Sequence, residues 1–337
     1  MMPLESILVA FAGGICVDIT LGDPTNKYHP VAWLGHVIEY FIPKLKQRNS
    51  DSNSKNNINH TENRGERSRS IIFSVLLIIS FGIAIHISAI AIVHILGYIA
   101  LIIYCALTLK ISIAIKGMEK HAAAVMCALE NGDLTNARFN LSMIVKRDTT
   151  NLDKQHIISG TIESISENIV DGITSPLFYY SFLGPAGAFS FRIINTLDSM
   201  LGYTDKYHKD IGWMPALIDT VANYVPSRIT AAIMVIAASI VHADWKKSMQ
   251  VIRRDHDKTA SRNAGYTMAA MAGALRVNLE KIGHYSLGDQ YEYISIEKCK
   301  VAISIMRYTV IAFAIIVCMP LISILYLLGW WRMVFGL

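Results

Sequence analysis

Apolar residues run along this chain in long, nearly uncharged blocks, separated by polar ones. Residues 4–21 form the first block and predict a short membrane span. Residues 71–115 carry almost no charge, enough for two spans joined by a tight turn near His94 to Gly97. Residues 173–191 are apolar but interrupted by Gly184, Pro185 and Gly187. Non-helical backbone at membrane depth survives only where protein buries it or it lines a cavity, so this block predicts a broken or re-entrant helical hairpin. Residues 227–242 are apolar over a stretch that is short for a crossing, and 301–328 predict the last span, with Trp330, Trp331 and Arg332 anchoring its far end. Blocks 173–191 and 227–242 either both cross or both fold back, and the pattern alone permits either.

The polar blocks differ among themselves. Residues 47–70 are rich in Asn, Ser and charge and predict a disordered insertion. Residues 116–160 predict soluble helices with a turn at Asn131-Gly132-Asp133, and 261–284 contain a small-residue helix from Asn263 to Leu275 suited to close packing. The fold class is therefore all-α, a polytopic membrane helical bundle with broken or re-entrant helices and helical cytoplasmic segments. A single membrane-embedded domain covers residues 1–337.

Composition agrees. Of 337 residues 53% are hydrophobic and 17% charged, well under the usual quarter. The net charge of +5 gathers between Lys44 and Arg69 and between Lys246 and Lys258. By the positive-inside rule both stretches are cytoplasmic, and they read as topology rather than a nucleic-acid surface. The five cysteines are scattered without a CxxC pair, so neither a disulfide framework nor a zinc site is implied. The N-terminal apolar block has no basic leader and no small-residue cleavage site, and reads as a retained span.

Candidate chemistry gathers between Glu163 and Arg228. On a helix, Glu163, Glu167 and Asp171 fall within about 80° of one another, beside Asn168, with Ile162, Ile165, Ile169 and Ile173 opposite. Three acids on one face repel, and a cation relieves that; a solvated polar face is the competing reading. Asn195 and Asp198 stand one helical turn apart, with Arg192 before them and Asp205, Lys206 and Asp210 after; Asp219 and Asn223 are four apart, with Arg228 beyond Pro226. Acids with amides suit magnesium, and nearby Arg and Lys suit phosphate. Further upstream, Asp18, Asp23 and His29 either converge on a cation or cap helix ends. Arg147 either serves the acidic helix or forms a local cap and salt bridge. No Walker A pattern and no GxSxG are present, which argues against P-loop nucleotide binding and serine hydrolysis.

These motifs in order resemble the adenosylcobinamide-phosphate synthase family of cobalamin biosynthesis (CobD/CbiB). They are Asp18 with Gly22-Asp23-Pro24 and His29-Pro30-Val31, Arg147-Asp148-Thr149, Glu163 to Asp171-Gly172, Pro176-Leu-Phe-Tyr179, Asn195-Thr-Leu-Asp198, Asp219 to Arg228, and Asn263 to Leu275. The resemblance covers about residues 10 to 290 and departs at Thr220, where the family often has a second acid, and at Arg262, where it commonly has proline. It implies an integral membrane enzyme at the cell membrane, with its active site on the cytoplasmic side. The implied reaction joins adenosylcobyric acid to aminopropanol or its phosphate, with ATP as co-substrate and magnesium. Glu163, Glu167, Asp171 and Asp198 would serve as catalytic groups and, with Asp219, as magnesium ligands. Arg147, Asn168, Arg192, Asn195, Lys206, Asn223, Arg228, Asp23 and His29 would bind substrate or phosphate. Membrane lipid and other enzymes of the pathway would be partners, and nucleic acid would not. The competing classes are a magnesium-dependent membrane prenyltransferase, whose usual acid spacing is missing here, and a transporter, for which the chain has no internal repeat.

Overall fold

The computed structural model describes residues 3–22, 29–46, 64–203, 205 and 207–335. Helices dominate. The first is α1 (Leu4–Leu21), whose bounds coincide with the first apolar block, followed by α2 (Pro30–Leu45) and α3 (Arg64–Ser112). Within α3, Gly97 adopts φ 83° and ψ −177°, where a side chain is strained, and the helix reverses there. Tyr104 Oη donates to the Ile85 carbonyl at 3.1 Å and lies 2.5 Å from Ser88 Oγ. Residues that far apart in a straight helix would be separated by about 24 to 28 Å, so the two arms of α3 run antiparallel. This is the predicted pair of spans and turn.

The outer face of α3 is apolar. Ile72, Leu76, Ile79, Ile83 and Ile87 recur at helical spacing and are all exposed, as are Ile99, Ile103 and Leu107 on the second arm. Such a stripe faces lipid rather than water. Among the described residues, three helical stretches are long and apolar enough to cross a membrane, or four when the bent pair α8 (Trp213–Ala222) and α9 (Tyr224–Ile240) counts as one. That pair bends by 47° at Asn223. The last stretch joins α12 (Ile296–Phe313) to α13 (Met319–Leu327) through a π-helical turn, and short α14 (Trp330–Phe335) follows.

The predicted helical hairpin is α7 (Ser175–Leu201). Gly184 sits at φ 57° and ψ −144°, Pro185 has no N–H to donate, and the chain doubles back. The Tyr179 and Phe191 rings stack across the two arms, with centroids 5.4 Å apart and planes 10° apart. A Cβ on Gly187 would fall 2.2 Å from the Tyr179 carbonyl oxygen, so the arms meet backbone to backbone. The carbonyl of Phe182, freed at the break, accepts the indole N–H of Trp330 at 2.7 Å. Protein rather than lipid satisfies the broken backbone.

The remaining elements build one end of the molecule. Helices α4 (Ile115–Glu130) and α5 (Leu134–Ser142) meet at Gly132, as the predicted turn requires, with Asp133 capping α5. Next come α6 (Lys154–Asn168), a π-helical turn (Ile169–Thr174), α10 (Trp245–Asp255) and α11 (Arg262–Leu275). After α11 the chain forms a two-stranded antiparallel hairpin, β1 (Leu279–Lys281) with β2 (Tyr285–Leu287), which the apolar pattern does not reveal. The expected insertion at 47–70 also differs in part. Residues 47–63 lie outside the described residues, but 64–70 are the first turns of α3. They are helical because they are held: Arg69 Nε donates to the Leu45 carbonyl at 2.9 Å, the Arg67 guanidinium stacks 3.9 Å above the Trp213 ring, and Ser70 Oγ bonds the Ile211 carbonyl.

Candidate active site

The acidic helix α6 starts at Asp153, whose carboxylate accepts from His156 N at 2.9 Å. Ile157, Ile158, Ile162 and Ile165 bury its inner face completely. The π-helical turn follows directly after Asn168, where one extra residue per turn changes the register of Asp171. The Gly172 carbonyl in that turn accepts from Ala114 N at 3.1 Å, tying it to the start of α4.

Beside α6 opens a cleft of about 560 Å³. Glu163, Glu167, Asn168 and Asp171 line it from α6 and the π-helical turn, and Arg192, Asn195 and Asp198 from the second arm of α7. Lys146 and Arg147 enter from the loop after α5, and Lys281 and Tyr285 from the β hairpin. Asp171 and Asp198 face one cleft because α7 folds back at Gly184.

The acids divide into two kinds. Glu163 is fully occupied: Oε1 accepts from Ser159 Oγ at 2.8 Å, while Oε2 accepts from Tyr285 Oη at 2.6 Å and pairs with Arg147. Burial, and then the Glu163 charge, push the Tyr285 hydroxyl well above its ordinary value, so it remains a donor. Ser159 Oγ also accepts from Glu280 N at 2.9 Å, which fastens the hairpin to α6. Glu163 thus holds Arg147 and Tyr285 in place. The carboxylates of Glu167, Asp171 and Asp198, by contrast, make no hydrogen bond or ion pair among the described residues. Glu167 is open to the cleft yet deep within it. Loss of bulk water pushes its carboxyl up, and Lys146 offsets part of this. Half-buried Asp171 is raised further, first by desolvation and then by Asp219, Glu167 and Asp198, with Lys146 again opposing.

The other predicted site residues divide likewise. Arg147, Asn168, Arg192 and Asn195 line the cleft. Asn223 lies off the lining: its Nδ2 donates to Asp219 Oδ2 at 3.0 Å, and its Oδ1 accepts from Ser175 Oγ at 2.6 Å. The other Asp219 oxygen is buried without a hydrogen-bond partner among the described residues. Arg228 joins α9 to α11. It donates to Asn263 Oδ1 at 3.1 Å, and its guanidinium stacks over the Tyr224 and Tyr266 rings at 3.6 and 4.5 Å. His29 caps α2, accepting from Val31 N at 3.2 Å. Asp18 caps α4, with Oδ2 accepting from Ile115 N at 2.8 Å and Lys116 N at 3.2 Å. Asp23 and Lys206 lie outside the described residues.

Lys146, Lys281 and Tyr285 escaped the sequence reading. Lys146 directly precedes Arg147 and had a signal, a second cation in the same loop. Lys281 and Tyr285 had none, because their hairpin is too short to show a period.

Among the described residues, no three or more His, Cys, Asp and Glu side chains form a metal cage. The donors in the cleft are carboxylate oxygens, which fit a magnesium ion that keeps waters and substrate phosphate oxygens and takes one or two protein ligands. One or two of Glu167, Asp171 and Asp198 would hold it.

Helical spans with lipid-facing stripes, a re-entrant hairpin and a charged cleft at its base define a polytopic membrane protein with a buried polar site. The chain belongs to the CobD/CbiB family: the family described as CobD/Cbib protein matches residues 11–323. A probable cobalamin biosynthesis protein CobD of Methanothermobacter thermautotrophicus is 38% identical over 301 residues, covering 89% of this chain and 93% of its own. Cobalamin biosynthesis proteins CobD of Dehalococcoides mccartyi and Leptospira interrogans are 33% and 37% identical, over 84% of this chain and 87% and 88% of theirs. No solved structure matches.

Proposed function

We propose that the protein is an enzyme of cobalamin biosynthesis that makes an amide in this cleft, joining the free carboxylate of adenosylcobyric acid to the amine of aminopropanol or its phosphate at the expense of ATP. One observation carries the reading. Three carboxylates without hydrogen-bond or ion-pair partners among the described residues, Glu167, Asp171 and Asp198, face the cations Lys146, Arg147 and Arg192 across a single cleft. A cleft of this size takes the amine, the transferring phosphoryl group and the reacting arm of the corrinoid, while the macrocycle stays at the mouth.

A carboxylate in water does not react with an amine unaided. Its oxygen attacks the terminal phosphorus of ATP and ADP leaves, giving an acyl phosphate. The amine nitrogen then attacks the acyl carbon, the amide bond forms and phosphate departs. Lys146, Arg147 and Arg192 bind the transferring phosphoryl oxygens, and Glu163 keeps Arg147 oriented. Glu167 or Asp171, with raised affinity for a proton, takes the one the ammonium must lose. Bound magnesium supplies charge neutralisation of the phosphates. ATP places the site on the cytoplasmic side.

The test uses the purified protein in nanodiscs with adenosylcobyric acid, aminopropanol phosphate, ATP and magnesium, the corrinoid carboxylate carrying oxygen-18. The expected result is the amide, one ADP per amide, and one heavy oxygen in the released phosphate. Amide formed without ADP, or phosphate without label, would contradict the acyl-phosphate route. No amide, together with corrinoid flux across vesicles, would mean transport instead.

A further inference from the structure

Helix α2 contributes no residue to the cleft and is not among the stretches long and apolar enough to cross a membrane. Its side chains divide into three sectors. At about 100° per residue, Trp33, Val37, Tyr40 and Lys44 lie within about 60° of one another, and all four are exposed. Leu34, Ile38 and Leu45 lie about 110° away and are buried against α3 and the second arm of α7. His36 and Glu39 occupy a third sector, 3.8 Å apart, with side chains 80% and 72% exposed. One sector thus meets protein, one is charged and open, and one is a Trp-Val-Tyr stripe ending in lysine. A helix wholly in water has no use for the stripe, and a spanning helix has none for the charges.

The position of α2 supplies a second argument. The Leu45 carbonyl is held by Arg69, the last charged residue before the apolar run of α3. The Phe41 ring packs 5.0 Å from that of Phe73, next to Ile72, where the lipid-facing stripe of α3 begins. Gly35, towards the other end, packs against Met200 in the last turn of α7. Both ends of α2 therefore lie where neighbouring helices enter the bilayer, and its exposed stripe adjoins one that already faces lipid. The Lys44 ammonium sits 3.8 Å from the Tyr40 ring centroid, an aromatic-basic pair suited to headgroup level.

We propose that α2 lies in the plane of the membrane interface, with Trp33, Val37 and Tyr40 at the boundary of headgroups and acyl chains and Lys44 among lipid phosphates. Its inner face then braces the α7 arm that carries Asn195 and Asp198, since Leu34 and Ile38 share a core with Ile193, Leu197 and Leu201.

The test places one environment-sensitive fluorophore on a cysteine at position 33, 36, 37 or 40, in protein whose native cysteines are replaced, in lipid nanodiscs with no other protein. Labels at 33, 37 and 40 should be quenched by nitroxide lipids of shallow depth to within about twofold of one another and protected from aqueous iodide, while the label at 36 is quenched by iodide. Iodide quenching at 37 and 40 equal to that at 36 would overturn the proposal, because the stripe would then face water. So would deep-lipid quenching that rises stepwise from 33 to 40, which marks a spanning helix. Should the label at 33 unfold the protein, those at 37 and 40 carry the same comparison.

Discussion

Glu163 and Glu167 stand one helical turn apart on α6, yet the structure gives them different work. Removing the Glu163 carboxylate leaves Arg147 and the Tyr285 hydroxyl without their acceptor, and losing one partner of a buried ion pair costs about 3–5 kcal/mol. Glu163→Ala should therefore lower the melting temperature in nanodiscs markedly. Glu167→Gln should leave melting within about 0.5 kcal/mol of the parent, because no group among the described residues bonds to that carboxylate. It should nevertheless reduce turnover about a hundredfold, as loss of a general base does. Equal melting losses for the two variants would contradict the division. Lys146 gives a pH test. Its charge opposes the upward shifts of Glu167 and Asp171, so Lys146→Gln should raise both further. The acid limb of kcat/KM, where these groups must lose a proton, should then move to higher pH, while Lys146→Arg should leave it in place. The sequence showed the wedge of acids because helical spacing alone sets it. It offered Arg147, in the loop just before the helix, as a salt-bridge partner, but it did not show that Glu163 is fully occupied, because Tyr285 comes from a hairpin with no period of its own.

At the level of elements, the α7 hairpin decides whether there is a site. A methyl group on Gly187 would collide with the Tyr179 backbone, and overpacking of this kind costs about 1–3 kcal/mol. Gly187→Ala should lower the melting temperature and, by separating the arms, weaken substrate binding at Asp171 and Asp198. Unchanged melting would mean that the arms do not meet there. The Gly184-Pro185 break was legible because lipid cannot hydrate a broken backbone. The end of the β hairpin is tied instead to an ion cluster around the buried Asp255, whose cationic partners are half exposed. Asp255 accepts from Gly288 N at 2.8 Å and pairs with Arg254 and Lys258, and Arg254 reaches on to Asp289. Burial alone would raise the Asp255 carboxyl, but these partners outweigh it and hold it well below the ordinary range. A depressed folded value contributes stability above the unfolded value of about 4 and loses it as pH falls towards the folded one. Asp255→Asn should accordingly cost about 1–3 kcal/mol at neutral pH and progressively less on acidification. Thermal melts across that range check it, and a pH-independent loss would contradict the cluster.

Across the whole molecule, lipid-facing stripes and a hairpin that returns to its own side put the ends of α6 and α7 together, which the apolar blocks alone left open. Cysteines at Gln155 and Ser199 should react with an impermeant maleimide from one side of sealed vesicles, and one at Ile95, near the α3 turn, from the other. Labelling of 155 and 199 from opposite sides would mean that α7 crosses. The central claim is that this cleft makes the corrinoid amide. Its most direct measurement is growth, without added cobalamin, of a strain that lacks its own family member and carries this chain. The parent chain should restore growth and accumulate the amide, and Glu167→Gln, present in the membrane at equal amount, should not. Rescue by Glu167→Gln equal to that by the parent would contradict the account.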